Sequence, residues 1–559
     1  MTDSPQPVRP TLASPTDQMF PRLTPAQIDR IAVHGRMRSI ERGEVLVTAG
    51  DRVVPFFVVA QGQVEIVRPG SAGETLITIH GPGEFTGEVN MLSGRRSIVT
   101  ARARESGRLI EMDRACLLSL VQTDSELSEI LMRAFIFRRV ELIAHGLGDV
   151  VLIGSSHCAA TLGIKEFLTR NSHPYTYLDL DRDNDVQAML DQFQVSDQEI
   201  PVLISGGTTV LRNPTTEQIA ESLGLNDPID QAAVHDVVII GSGPSGLAAA
   251  VYGASEGLKV LVLESRVPGG QAGSSSKIEN YLGFPTGVSG YELTARAYNQ
   301  AQKFGARMLV ARGATGLTCD RNPYVVQAGI DTRLLARSVV IATGADYRKP
   351  ALENLTRFEG AGVYYGATFM EAQLCMGEEV IVVGGGNSAG QAAVFLAMNT
   401  KRVHLIVRSD GLAGSMSRYL VRRIEDNPVI TLRTHTELVM LDGDTHLEQI
   451  RWRNNQTGEQ ETHDIRHVFF MTGAVPSTGW LRDCLALDEK GFIKTGPTLS
   501  DEDLANARWP LARAPHLLET SRPGVFAVGD VRSGSVKRVA SAVGEGSIAI
   551  AFLHQFLAE

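Results

Sequence analysis

His235-Asp236-Val237-Val238-Ile239-Ile240-Gly241-Ser242-Gly243-Pro244-Ser245-Gly246 is the stretch that decides how this chain folds. The apolar run His235 to Ile240 has the composition of a buried strand, and it feeds directly into Gly-x-Gly-x-x-Gly. A helix over Leu247 to Tyr252 is expected next. Glycines at those spacings permit a tight turn and let backbone N–H groups approach a pyrophosphate at the helix N-terminus. The following strand, Lys259 to Leu263, ends in Glu264, at the separation where a carboxylate meets a ribose hydroxyl. The same grammar recurs downstream. Strand Glu379 to Val383 runs into Gly384-Gly385-Gly386-Asn387-Ser388-Ala389 and then a helix to Leu396. A closing segment, Gly524-Val525-Phe526-Ala527-Val528-Gly529-Asp530, follows much later. The order predicts two nested βαβ nucleotide units, the second inserted into the first.

Outward from this core, composition bounds the rest. At 559 residues the chain is too long for one hydrophobic core, so several domains are expected. The net charge of −10 and the lack of any basic run argue against a nucleic-acid surface. No run reaches the roughly 18 apolar residues of a membrane span. Residues 1–20 are polar and Pro-rich, with no apolar core of a signal peptide, and read as a flexible tail. The cysteines Cys116, Cys158, Cys319, Cys375 and Cys484 are scattered, contain no Cys-x-x-Cys and lack metal-ligand spacing. An odd set of this kind predicts unpaired thiols in a reducing cytoplasm and no metal site.

Two other grammars precede the nucleotide units. From about Leu23 to Ala144, short apolar segments such as Phe56-Phe57-Val58-Val59 are punctuated by Gly50, Gly62, Gly70, Gly73, Gly81, Gly83 and Gly87, the spacing of a small β-barrel or jelly roll. A helical pattern from Ser125 to Ala144 closes this stretch; its Phe135 and Phe137 are a lid or ordinary core. From Val150 to about Leu225 the order is strand, helix, strand (Thr176 to Leu180), helix, strand (Ile200 to Ile204) and a last helix near Glu217 to Leu223. A polar connector, Gly224 to Ala232, leads to His235.

Pro268-Gly269-Gly270-Gln271 and Ile278-Glu279-Asn280-Tyr281 complete the pattern, and with them residues 235 to 559 resemble the low-molecular-weight thioredoxin-reductase family of FAD enzymes. The resemblance implies FAD held by Gly241, Gly243, Pro244, Ser245, Gly246, Glu264, Gly270, Gln271, Asn280, Thr343, Gly344, Gly529, Asp530, Lys537 and Val539. It implies NAD(P)H on Gly384, Gly386, Asn387, Ser388 and Ala389. Arg408 at the end of strand Val403 to Val407, with Arg418, favours NADPH through its 2′-phosphate and leaves NADH open. The family is also dimeric, which implies a homodimer.

One family feature is missing. Alignment of Gly362-Val363-Tyr364-Tyr365 puts Gly366 and Phe369 where the redox cysteines would stand. Flavin can pass electrons to a disulfide only through a thiol that attacks and resolves, so another exit is expected: a quinone, an iron–sulfur protein, a flavodoxin or oxygen. Cys375 on the following helix reads as a core cysteine.

Val151-Leu152-Ile153-Gly154-Ser155-Ser156-His157-Cys158-Ala159-Ala160-Thr161 resembles the active-site turn of the thioredoxin and glutaredoxin fold. Ile200-Pro201-Val202 resembles its cis-proline segment. Cys158 then falls on the nucleophile position, at a helix N-terminus where thiolates are stabilised, and Thr161 on the resolving one. Cys158 is a monothiol nucleophile or a relic in a docking module.

Gly83-Glu84-Phe85-Thr86-Gly87-Glu88, continuing to Arg95-Arg96-Ser97, resembles the phosphate cassette of cyclic-nucleotide-binding domains. A cyclic phosphodiester wants a guanidinium and its ribose a carboxylate; Arg96, Glu88 and Ser97 supply these for cAMP or cGMP. Many such domains bind no nucleotide.

The expected architecture is multidomain: a tail (1–20), a β-barrel cyclic-nucleotide-binding domain (21–146), a thioredoxin-like α/β domain (149–226), an FAD domain (233–350 and 476–559) and an NAD(P) domain (351–475), the last two Rossmann-like. The expected function is a cytoplasmic FAD-dependent NAD(P)H oxidoreductase acting on an external acceptor, with a bound cyclic nucleotide as its candidate regulator. A disulfide reductase working through Cys158 and a non-enzymatic redox sensor are the alternatives.

Overall fold

The computed structural model describes residues 18–559 apart from 71–72, 89, 145–149, 156–157, 181–198, 207–208, 330 and 482–483. The expected helix between Leu180 and Ile200 falls on 181–198, outside the described residues, as does His157.

The first nucleotide unit is a seven-stranded sheet. Strand Val234–Ile240 pairs in parallel with Val260–Leu263 on one side and Thr332–Ile341 on the other. The late strand Val525–Ala527 pairs with the upper half of Thr332–Ile341, so the chain returns to this sheet after a long excursion. Helix Pro244–Ser255 packs on it together with the C-terminal helix Val539–Ala558. Small side chains permit their close approach: a Cβ on Gly546 would lie 2.2 Å from the Ser245 carbonyl oxygen.

The excursion forms the second unit, a parallel sheet ordered Val363–Tyr364, His467–Phe470, Glu379–Val383, Arg402–Ile406, Ile430–Arg433. A short antiparallel pair, Ala345–Tyr347 with Ala474–Pro476, carries the chain out and back. The nesting read from the order of the glycine loops is thus what the hydrogen bonds show.

Ahead of these units, the N-terminal strands form an antiparallel sheet of order Arg36–Ile40, Thr100–Met112, Phe56–Gly70, Gly73–His80, with Val45–Val47 also on Thr100–Met112. Helix Ser125–Ala144 has the bounds expected of it. Its Phe135 is fully buried and meets Phe56 and Phe85 edge-on at 6.2 Å each, which places it in the core. The next unit is a four-stranded sheet ordered Tyr175–Asp179, Val150–Gly154, Val202–Ser205, Thr209–Arg212, with helix Ala159–Arg170 after its first strand. The Ile200–Pro201 peptide is cis.

The expectation of unpaired thiols fails for two of the five cysteines. Cys319 and Cys484, 165 residues apart, form a disulfide with a Cα–Cα separation of 6.1 Å. The two cysteines belong to the two separated segments of the first nucleotide unit, so only the nested fold brings them together. Cys116, Cys158 and Cys375 are free.

Backbone approach limits the first loop most severely. A Cβ at Gly246 would sit 1.9 Å from the Gly241 carbonyl oxygen. Gly246→Ala is therefore expected to destabilise the chain by about 2 kcal/mol, the scale of an overpacked core, read as a lowered denaturant midpoint. A wild-type midpoint would show that the turn can open.

Candidate functional site

The first glycine loop closes the C-terminal end of strand Val234–Ile240. Gly241, at φ +102°, turns the chain where a side chain would meet the Ala342 carbonyl at 2.3 Å. Gly243 is the N-cap of helix Pro244–Ser255 and no side chain closes that cap. Ser245 and Gly246 are buried in its first turn. The leading N–H groups of such a helix are the donors an anion takes.

Glu264 is held against this loop. One carboxylate oxygen accepts from the Ser242 N–H at 2.9 Å and the Ser242 hydroxyl at 2.7 Å; the other accepts from the Arg266 N–H at 2.9 Å. These bonds orient the carboxylate and leave it lone pairs for a hydroxyl.

The segment Pro268–Gln271 lies across the first loop. The Gly269 N–H donates to Ser242 O at 2.8 Å, and a Cβ on Gly270 would sit 2.9 Å from the Gly243 Cα. The Gln271 side-chain amide donates to Ala345 O. Asn280 is exposed nearby in sequence, before Tyr281. Thr343 donates to Ser477 O at 3.0 Å, tying the exit from this unit to the re-entry, and Gly344 beside it faces open space.

The closing segment completes the cradle. Gly529, at φ +74°, approaches Ser245 so closely that a Cβ would lie 2.5 Å from the Ser245 hydroxyl. Its N–H donates to Glu545 at 2.7 Å, and Arg532 pairs with Glu545 at 2.5 Å. Burial raises the Asp530 carboxyl above the ordinary carboxylate range, partly offset by the Lys537 ammonium. Lys537 donates to Asp530 O at 2.7 Å, and Val539 opens the C-terminal helix. Glu545 and Arg532 escaped the sequence reading because they act on a backbone N–H rather than on a motif position.

The second loop repeats the design. Gly384, at φ +143°, passes 2.4 Å from Met471 O as judged by an added Cβ. Gly386 caps helix Asn387–Leu396 without a side-chain bond and faces open space. Asn387 accepts from the Ser417 N–H at 2.7 Å; Ser388 is exposed and Ala389 buried. Arg408 follows strand Arg402–Ile406, and Arg418 starts helix Arg418–Glu425; both are exposed at this end of the sheet. Farther along that helix, Arg423 pairs with Glu279 of the first unit at 2.6 Å.

These observations fit two dinucleotides. Two uncapped helix starts, glycine backbones in contact with backbone, open space at Gly344 and Gly386, and a half-buried carboxyl at Asp530 make two cradles that side chains would fill.

The segment Gly366 to Phe369 itself carries no sulfur. Gly366 faces open space, and Thr368 caps helix Phe369–Leu374 through Glu371. Cys375 is fully buried and burial pushes its thiol up to about 12. The disulfide lies elsewhere. Cys319 follows Thr318, which is level with Val325 and, across the next strand, Leu335. Cys319 is therefore level with Ala336, five residues short of the loop end of that strand at Ile341, or about 17 Å along it.

Cys158 caps helix Ala159–Arg170, partly exposed, with its N–H on Ser155 O at 3.1 Å. Thr161 is fully buried, and it crowds Gly154 beside Pro201.

The N-terminal sheet encloses a cavity of about 110 Å³, walled by aliphatic side chains such as Val47, Ile66 and Val99. Glu88 and Ser97 line it. Arg96 does not: it packs on Gly224, while its neighbour Arg95 is at the cavity wall. Glu88 pairs with the buried Arg139 at 3.5 Å, and burial lowers the Arg139 guanidinium below its usual range. Arg138, buried beside it and lowered to about 9, donates to the carbonyls of Met19, Phe85 and Gly87.

Among the described residues no cluster of His, Cys, Asp or Glu could hold a metal ion, and no helix is long and apolar enough to cross a membrane.

Comparison with known proteins bears on both halves. Residues 235–546 match the family described as pyridine nucleotide-disulphide oxidoreductase, and residues 37–124 match the cyclic nucleotide-binding domain. Residues 125–234 lie outside both matches. "Thioredoxin reductase" of Treponema pallidum is 34% identical over 315 residues, 56% of this chain and 94% of that protein. "NADPH-dependent thioredoxin reductase 3" of Arabidopsis thaliana is 32% identical over 369 residues, 63% of this chain, which spans 66% of that protein. The crystal structure of Lactococcus lactis thioredoxin reductase superposes with a TM-score of 0.52 at 29% identity, over 58% of this chain and 99% of that one.

The thiol inventory is directly testable. Unfolded but unreduced protein should show three reactive thiols, rising to five after reduction. In the native state at pH 8, iodoacetamide should label Cys158 and spare Cys375. Five thiols before reduction would eliminate the disulfide.

Proposed function

The chain belongs to the pyridine nucleotide-disulphide oxidoreductase family, and we propose that it is an FAD-dependent NAD(P)H oxidoreductase of thioredoxin-reductase type whose electrons leave to an acceptor outside this chain. It carries a cyclic nucleotide-binding domain at its N-terminal end. The observation that supports the enzyme reading is the pair of uncapped helix starts at Gly243 and Gly386, each at the end of a parallel strand inside the matched region. FAD, when bound, supplies the two-electron chemistry. The chain binds and orients. The helix start at Gly243 receives the FAD pyrophosphate, Glu264 its ribose, and Asp530 the ribityl chain. Gly386 and the helix behind it receive the coenzyme pyrophosphate, and Arg408 and Arg418 the 2′-phosphate of NADPH.

The electron exit follows from where sulfur lies. The segment Gly366 to Phe369 offers none, Cys375 is buried as a thiol, and Cys319–Cys484 is remote from the loop end of the sheet. A quinone, an iron–sulfur protein, a flavodoxin or oxygen then takes the electrons directly.

A second reading rests on the unit between the two family matches. Its strand order and Cys158 at a helix start support a thioredoxin-like domain with a single thiol. In that reading Cys158→Ser abolishes disulfide-dependent NADPH oxidation. The cyclic-nucleotide reading is supported by the cavity lined by Glu88, Ser97 and Arg95; equal turnover with and without cAMP or cGMP removes it as a regulator.

Anaerobic rapid mixing with NADPH or NADH tests the enzyme reading: the flavin absorbance should bleach with at least one coenzyme. Arg408→Ala should raise the KM for NADPH about tenfold and leave that for NADH unchanged, the scale of a charged phosphate bond. No bleaching with either coenzyme would overturn the assignment.

A further inference from the structure

The loop Pro268–Gln271 is held from behind by a residue of another domain. Arg170 ends helix Ala159–Arg170, and its side chain is only 10% exposed. One guanidinium nitrogen donates to Pro268 O at 2.9 Å and to Gly270 O at 2.6 Å; the other donates to Glu166 at 2.8 Å. The contact is tight, for a Cβ on Gly273 would lie 2.6 Å from Arg170 Nη2. A trans peptide points its C=O and N–H in opposite directions. Fixing Gly270 O on Arg170 therefore turns the Gln271 N–H away from Arg170.

The turn that carries Arg170 is gripped from the N-terminal domain and from the first nucleotide unit. Arg95 donates to Asn171 O at 2.8 Å and, with its other nitrogen, to the Tyr298 hydroxyl at 2.8 Å. Arg139, the partner of Glu88, donates to Ser172 O at 2.6 Å. The Ser172 hydroxyl meets the Tyr291 hydroxyl at 3.2 Å. Tyr291 and Tyr298 stand on helix Gly290–Lys303, whose Thr294 packs on Gly269 of the same loop. Arg95 and Glu88 also line the N-terminal cavity. Two cavity residues thus reach the flavin loop through one turn, Arg170 to Ser172.

We propose that Arg170 is a positioning residue for the flavin loop Pro268–Gln271, and that the turn Arg170 to Ser172 couples the N-terminal domain to that loop. The proposal rests on the reading that this loop borders FAD. Two part-buried carbonyls sharing one guanidinium nitrogen give the loop a fixed shape, and a charged hydrogen-bond donor is worth enough to shift a binding constant about tenfold.

FAD affinity of the full-length apoprotein is the test, because it needs no turnover and no acceptor. Arg170→Gln should raise the FAD Kd about tenfold and shift the absorbance maximum of the flavin that does bind. Arg170→Lys should recover part of both effects. Arg95→Gln, which leaves the loop untouched, should raise the Kd about two- to fivefold and move the spectrum the same way. A wild-type Kd and spectrum in Arg170→Gln would overturn the positioning role, and a wild-type Kd in Arg95→Gln the coupling. A lowered melting temperature of the Arg170→Gln apoprotein with no rescue by lysine would also overturn the positioning role, by reducing Arg170 to a folding contact. Failure of the wild-type chain to bind FAD would instead count against the function proposed above.

Discussion

The structure depends on backbone meeting backbone at the loop ends of two parallel sheets. Gly246 against Gly241 O, Gly241 against Ala342 O, and Gly384 against Met471 O are all closer than a side chain permits. Such contacts hold the strand end, the turn and the helix start in one arrangement, which leaves the first N–H groups of each helix without side-chain caps. Uncapped donors of this kind are the ones an anion satisfies. The remaining parts of the first cradle are arranged around this constraint: Glu264 is tied to Ser242, Pro268–Gln271 lies across the turn, and Gly529 returns from 284 residues away to touch Ser245.

What was legible in the sequence was whatever is local. A strand, a glycine turn and a helix within some twenty residues leave a pattern, and so both cradles, Glu264 and the position of Arg408 could be read directly. The nesting was legible because the loops occur in a telling order. Contacts between distant segments were not. The Cys319–Cys484 pair spans 165 residues and two segments of one domain, so spacing alone suggested unpaired thiols. Arg170 reaches carbonyls about 100 residues away, and a carbonyl carries no residue identity for a pattern to use. Arg95 and Arg96 are adjacent, and the local path of the chain decides which one faces the cavity and which one Gly224.

Both cradles lie within the region that matches the pyridine nucleotide-disulphide oxidoreductase family. Family members named thioredoxin reductase match this chain along nearly their whole length, yet the segment Gly366 to Phe369 has no sulfur. What this chain adds lies ahead of the region 235–546: a cyclic nucleotide-binding domain and a second small unit whose helix end clasps the loop Pro268–Gln271. Burial pushes the Cys375 thiol up, and the Cys319–Cys484 disulfide is level with Ala336, short of the loop end of that strand at Ile341.

Anaerobic titration of the FAD-loaded protein with NADPH, followed by flavin absorbance and by thiol counting, tests this account most directly. It predicts that one NADPH per chain bleaches the flavin completely and that no new thiols appear. Consumption of a second equivalent with the release of two thiols would show a redox-active disulfide in contact with the flavin and contradict it.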